Sequence, residues 1–146
     1  LLWHAMLRWQ RAATTALAPS ELTHSQFRLL AAVVWPATDL GRPASQREVA
    51  EHTGTDAMVT SQVVRTLESR GWLERLGDDR DARVWRLRAT SEGRRRAVAA
   101  VGIVRALDDE FFGPTADRSE VVALLRNLAG RDALGAPLPA GDAAPD

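Results

Sequence analysis

Residues 45–89 read SQREVAEHTGTDAMVTSQVVRTLESRGWLERLGDDRDARVWRLRA, and the order of elements within them decides the fold. Ser45 with Glu48 three residues later forms a capping box, which predicts a short helix to about His52 with Val49 and Ala50 facing inward. Thr53-Gly54-Thr55 is a tight turn. Residues 56–70 predict a second helix, with Asp56 at its start and Val59, Val63 and Leu67 along its buried face. Gly71 stands where a left-handed helix end is expected. The hydrophobic period then changes from helical to two. Residues 72–76 and 84–88 read as strands, joined by a charged tip over residues 77–83.

Working outward, Leu2, Met6, Trp9, Ala13 and Ala16 recur at steps of three and four, so residues 1–17 predict an amphipathic helix closed by Ala18-Pro19. Thr23 and Gln26 form another capping box, opening a helix whose buried stripe is Phe27, Leu30, Ala31 and Val34 and whose stop is Pro36. Residues 37–44 read as a loop. Thr90 opens a long helix to about Phe112, with Val101, Val104, Leu107 and Phe111 as its apolar line, and Gly113-Pro114 breaks it. A last helix is expected over about 117–129, bearing Val121, Leu124, Leu125 and Leu128. The Ala/Pro/Gly/Asp-rich segment 131–146 reads as a disordered tail.

Two short helices joined by a Gly-containing turn make a helix-turn-helix, and the basic hairpin after them adds a wing. The expected fold is mainly α with a small β-hairpin wing. Its organisation is an N-terminal helix (1–20), a winged helix-turn-helix core (21–90), a long linker helix with a C-terminal helix (91–130) and the tail.

Composition narrows the function. All 19 basic residues are arginine, balanced by 19 acids, and there is no cysteine. Disulfides, thiolate catalysis and Cys-based zinc sites are therefore excluded. The balance hides a polarised chain. Residues 65–96 hold ten arginines against six acids, a net of about +4, while residues 106–146 hold eight acids against three arginines, a net of −5. A neutral protein built this way can touch an anion with one face. The longest uncharged apolar run, near 29–36, is far too short for a bilayer and no signal peptide is visible, so a soluble, cytoplasmic protein with no membrane partner is expected.

The chemistry-bearing residues point to nucleic acid. The second helix of the pair carries Thr60, Ser61, Gln62 and Arg65, side chains able to read base edges in a major groove, and Thr55 lies in the turn before it. Arg80 and Arg83 at the hairpin tip can reach sugar-phosphate or minor groove. Catalysis finds no support: His4, His24 and His52 fall in three different predicted helices, and no nucleophile elbow or Gly-rich phosphate loop occurs. No cofactor or metal site is expected. A winged helix serving as a protein-interaction module remains an alternative on element order alone, as does a DNA-binding protein without an effector.

Four motifs in register resemble the multiple-antibiotic-resistance regulator (MarR-like) family over roughly residues 1–130. They are Leu22-Thr23-x-x-Gln26-Phe27-x-x-Leu30, Leu67-Glu68-x-Arg70-Gly71-Trp72-Leu73-x-Arg75, Asp78-x-Arg80-x-x-Arg83 and Leu87-x-Ala89-Thr90-x-x-Gly93. The resemblance implies a transcriptional repressor that is an obligate homodimer with interleaved N- and C-terminal dimerisation helices, sitting on a near-palindromic double-stranded DNA operator. It implies that Asp78 pairs with a wing arginine to stiffen the hairpin, that Arg80 and Arg83 approach the minor groove, and that Thr60, Ser61, Gln62 and Arg65 face the major groove. Ser45 and Gln46, at a helix N-terminus, would meet phosphate. The apolar lines Leu2/Met6/Trp9 and Val121/Leu125/Leu128 find no partner in the small winged core, as a dimer interface requires. The resemblance further implies a small aromatic or lipophilic effector bound between the dimer helices and the core, where Trp3, His4, Arg8, Trp9, Arg11 and Trp35 are the candidates. Ser61-Gln62 departs from the Thr-Arg pair of many members, which leaves the operator sequence open. The cysteine-based peroxide sensors and the metal-sensing branch are excluded by the missing cysteine.

Overall fold

The computed structural model describes residues 1–35, 41–113 and 118–130. Its elements are α1 (Leu2–Leu17), α2 (His24–Val34), α3 (Gln46–Thr53), α4 (Ala57–Ser69), β1 (Leu73–Gly77), β2 (Trp85–Ala89), α5 (Ser91–Phe112) and α6 (Arg118–Ala129). Residues 1–114 form one compact unit, and α6 belongs to a second, residues 115–146. Pro36 and the tail 131–146 lie outside the described residues.

Helix boundaries follow local chemistry. Both capping boxes are formed: Thr23 Oγ1 accepts the Gln26 N–H at 3.2 Å while Gln26 Oε1 accepts the Thr23 N–H at 3.1 Å, and Ser45 and Glu48 do the same at 3.2 and 2.6 Å. Gly54, at φ 61°, ends α3, and the Thr55 N–H returns to the Ala50 carbonyl at 3.0 Å. Gly71, at φ 71°, ends α4 in the same way, with the Trp72 N–H on the Leu67 carbonyl at 2.9 Å. This second closure explains why the strands begin one residue later than the period-two pattern suggests. Trp72 is taken into the helix cap and the core, so pairing starts at Leu73↔Ala89 and runs to Gly77↔Trp85.

The core lies beneath the helix-turn-helix. Leu17, Leu30, Val49, Val64, Leu67, Leu73, Leu87, Ala97 and Ala100 form its centre. Helix α2 is packed by α3, α4, α5 and β2. Because neighbours surround it, the face it buries is wider than one stripe: Leu29, Leu30, Ala32 and Val34 are buried, whereas Phe27 and Ala31 are half-buried. In α5 the buried line is Gly93, Ala97, Ala100 and Val104, and Val101, Leu107 and Phe111 of the expected line are half-buried. Small residues win this face because α5 approaches its neighbours closely.

The α1–α2 corner is clamped by two arginines. Trp72 is flanked by Arg96 and Arg70, their guanidinium carbons 4.2 and 4.9 Å from its ring centre. Arg70 Nη1 donates to the Glu21 carbonyl at 2.6 Å and Arg96 Nη1 to the Ser20 carbonyl at 3.1 Å. Helix α1 buries Ala13 and Leu17 toward its C-terminal end, leaving Leu2, Trp3 and Met6 exposed. In the second unit, Leu124, Leu125 and Leu128 of α6 are likewise exposed. No helix among the described residues is long and apolar enough to cross a membrane.

Candidate nucleic-acid interface

Helix α4 buries Thr60, Val64 and Leu67 and turns Gln62 and Arg65 outward. This corrects two expectations. Val59 is 43% exposed rather than buried, and Thr60 is fully buried rather than presented to DNA. The reason is geometric: 3.6 residues per turn places 60, 64 and 67 on one line, whereas three consecutive residues such as 60–62 sweep more than half the circumference. Ser61 lies at the edge of the open face, its Oγ accepting from Arg65 Nη2 at 3.3 Å. That contact holds the guanidinium against the helix.

Both helix starts in the pair are closed by carboxylates. Asp56 Oδ1 accepts the N–H groups of Met58 at 2.7 Å and Val59 at 3.3 Å. At α3, Glu48 takes the Ser45 N–H and a two-pronged contact from Arg42 at 2.7 and 3.0 Å, which with Ser45 pulls its carboxyl from the usual 4.5 down to about 2. The phosphate contact expected of Ser45 therefore meets a resident anion, and Ser45's hydroxyl is engaged in the cap. Gln46 stands beside it, half-buried, on the wall of a cleft of about 690 Å³ between α3 and α4 that Thr55 and Thr60 also line. Thr55 faces this cleft with its hydroxyl turned to the Thr53 carbonyl at 3.5 Å.

The wing is braced from within. Asp78 accepts the Nε–H of Arg86 and the backbone N–H groups of Arg80 at 2.9 Å and Asp81 at 3.1 Å. These donors, the Arg80 amide foremost, lower its carboxyl below the usual range. The pairing of Asp78 with a wing arginine is thus present, and the arginine is Arg86. It also donates from Nη1 to the Pro43 carbonyl at 3.1 Å, while Ser45 forms a bridge to Arg86 and the Leu87 N–H reaches the Ala44 carbonyl at 2.9 Å. The wing is thereby tied to the start of α3, although residues 37–44 read as plain loop. Sequence reasoning did not single out Arg86: it alternates with the buried Leu87 and shares the opposite strand face with Arg88, so local spacing alone did not distinguish the two arginines. Arg80 is exposed, and its guanidinium has no partner among the described residues. Arg83 is exposed and pairs with Asp81 at 3.1 and 3.4 Å. So open an ion pair holds its arginine weakly.

The six residues expected to line an effector pocket do not converge. Trp9 packs against the core, donating from Nε1 to Asp108 Oδ1 at 2.7 Å and meeting His24 edge-on at 5.1 Å. Trp9 is therefore no part of an unpartnered α1 stripe. His24 is held below its usual titration range by burial and then by Arg28. Arg8 lies over the Phe111 ring at 5.0 Å. Trp3, His4 and Arg11 are exposed on α1. Trp35 lies elsewhere, on a cavity of about 290 Å³ with Phe27, Arg28, Ala31, Ala32, His52 and Thr53. The separation arises because α1 and the end of α2 meet different neighbours. No cluster of three or more potential metal ligands occurs among the described residues.

Residues 20–84 match the MarR family. Over 128 residues the chain is 36% identical to YdcH, an HTH-type transcriptional regulator of Bacillus subtilis, covering 88% of this chain and 86% of that one. The chain belongs to the MarR family. It is a DNA-binding transcriptional regulator, and the family's members are regulators rather than enzymes. Among solved MarR-type structures, CouR from Rhodococcus jostii RHA1 bound to p-coumaroyl-CoA is 28% identical with a TM-score of 0.75, over 89% of this chain and 86% of that chain. A variant of MarR from E. coli complexed with operator DNA superposes with a TM-score of 0.73 over 88% of each chain; at 22% identity that likeness is one of fold. The MarR assignment accords with the winged helix described above, a helical core with one antiparallel hairpin.

Proposed function

We propose that this MarR-family regulator is a homodimeric repressor that binds a near-palindromic operator and is released by a small aromatic or lipophilic molecule. The observation that carries the reading is the division of labour on α4: Thr60, Val64 and Leu67 are buried while Gln62 and Arg65 face outward beside a wing whose Arg80 is unengaged. Gln62 and Arg65, with Ser61 orienting the latter, read base edges; Arg80 and Arg83 contribute phosphate or minor-groove contacts. Two-fold symmetry places half-sites about one helical turn, ~10 bp, apart. The exposed apolar faces of α1 (Leu2, Trp3, Met6) and of α6 (Leu124, Leu125, Leu128) are what a second copy covers. For the effector, the cavity bounded by Phe27 and Trp35 has apolar walls with Arg28 and His52 at its edge, and it touches α2 and the end of α3, so an occupant acts on the first helix of the helix-turn-helix. The aromatic acyl group of the p-coumaroyl-CoA bound to CouR supports an aromatic ligand.

The test is fluorescence anisotropy on DNA from upstream of the protein's own gene against scrambled duplex, in a salt series, with binding sites selected from a random pool in parallel. Specific binding with a steep salt slope, and stoichiometry of two chains per site, is the expected result. Adding p-coumarate, p-coumaroyl-CoA or benzoate then weakens binding if the effector reading holds. Operator affinity unchanged by every aromatic acid and thioester tried supports an effector-independent regulator instead.

A further inference from the structure

The apolar residues of α4 are distributed against the needs of its core. Thr60 is fully buried and its Oγ1 has no hydrogen-bond partner among the described residues, whereas Met58 is 74% exposed and Val59 43% exposed. A helix selected for packing alone would exchange these positions, since an unpaired buried hydroxyl and an open methionine both forfeit stability. Met58 also lies in line with the outward polar residues. Positions 58, 62 and 65 are i, i+4 and i+7, one stripe along the helix, with Met58 about 10 Å before Arg65 at ~1.5 Å per residue. That is about three base-pair steps at ~3.4 Å each.

Asp56 determines what this first turn can meet. Its carboxylate occupies the helix start, bonded to the Met58 and Val59 amides, so a negative charge stands where a phosphate would otherwise dock. The turn is thus unsuited to the sugar-phosphate backbone and suited to base edges. The apolar group that unmodified major-groove edges present is the C5-methyl of thymine.

We infer that Met58, flanked by Val59, reads a thymine methyl in each operator half-site, a few base pairs from the bases addressed by Gln62 and Arg65. This rests on α4 being the recognition helix, and it adds a specificity element that hydrogen-bonding residues do not supply. Thymine is required at that position because cytosine lacks the methyl group that would bury the thioether.

The experiment starts from duplex selected by the full-length protein from a random pool. Each thymine is replaced singly by deoxyuridine, which removes the methyl and leaves the hydrogen-bonding edge intact. The expected result is one or two positions per half-site at which wild-type affinity falls about fourfold, the worth of one buried methyl. Met58→Ala binds thymine and uracil equally at those positions, while Met58→Leu keeps the discrimination. Base changes opposite Gln62 and Arg65 continue to weaken Met58→Ala, which shows that the variant still docks. Indifference of the wild type to every deoxyuridine, or full discrimination by Met58→Ala, overturns the inference while leaving DNA recognition standing. Failure to enrich any duplex overturns the recognition-helix reading itself, and this inference with it.

Discussion

Gly93 in the first turn of α5 lies so close to Trp72 that a Cβ on it would stand 1.9 Å from the Trp72 carbonyl oxygen. That oxygen cannot yield easily, because it also accepts the Thr90 N–H at 3.1 Å, and Trp72 is clamped by Arg70 and Arg96. The exit from the wing into the long helix depends on this absence of a side chain.

Gly93→Ala should therefore destabilise the protein. Helix propensity favours alanine by about 1 kcal/mol, but overpacking against a fixed backbone opposes it by about 3 kcal/mol. A net loss of about 2 kcal/mol is expected in urea unfolding. A gain would show that α5 can draw away from Trp72.

Thr60→Val tests the burial of Thr60 directly. Replacing an unpaired buried hydroxyl by a methyl should stabilise the fold by about 1 kcal/mol and leave operator affinity within about twofold. A large loss of affinity would restore Thr60 to the DNA-reading surface.

Arg80→Ala should weaken operator binding about three- to tenfold and lower the salt slope by about 1, with sequence preference retained. Asp78→Ala should weaken binding although Asp78 is no cation, since it releases Arg86 and the backbone of the wing tip together. Anisotropy titrations at several salt concentrations measure both. If Asp78→Ala binds like the wild type, the brace is not what orients the wing.

Glu48 supplies a pH dependence. Its folded-state value of about 2 lies below the unfolded 4.5, so its contribution is complete above pH 4.5 and is lost as pH falls toward 2. Because the side chain is 35% exposed, solvent screening reduces the effect to about 1 kcal/mol. Wild type should exceed Glu48→Gln in stability by that amount at pH 6, and the two should converge near pH 2. A difference that persists undiminished at pH 2 would mean the Arg42 contact contributes nothing through charge.

Trp9→Phe keeps the aromatic contact with His24 but removes the N–H that Asp108 accepts. Leaving that half-buried carboxylate without its donor should destabilise by about 1–2 kcal/mol, read from thermal or urea unfolding. An unchanged midpoint would indicate that water replaces the indole.

What the amino-acid sequence determined by itself is local: the two capping boxes, the glycine closures at Gly54 and Gly71, the switch to period two and the acid-arginine tip of the wing. These depend on groups within a few residues of one another, so residue type and spacing suffice, and together they specify a winged helix-turn-helix. Tertiary structure alone decided which side of α4 faces the core, and so exchanged the expected roles of Val59 and Thr60. It chose small residues for the buried line of α5, selected Arg86 as Asp78's partner, joined Ala44-Ser45 to β2, and dispersed the aromatic and basic residues of α1 and α2 among separate neighbours. Helical periodicity gives the repeat of a buried face but not its angular origin. That origin is set by the elements packing from other parts of the chain, whose approach no local spacing encodes.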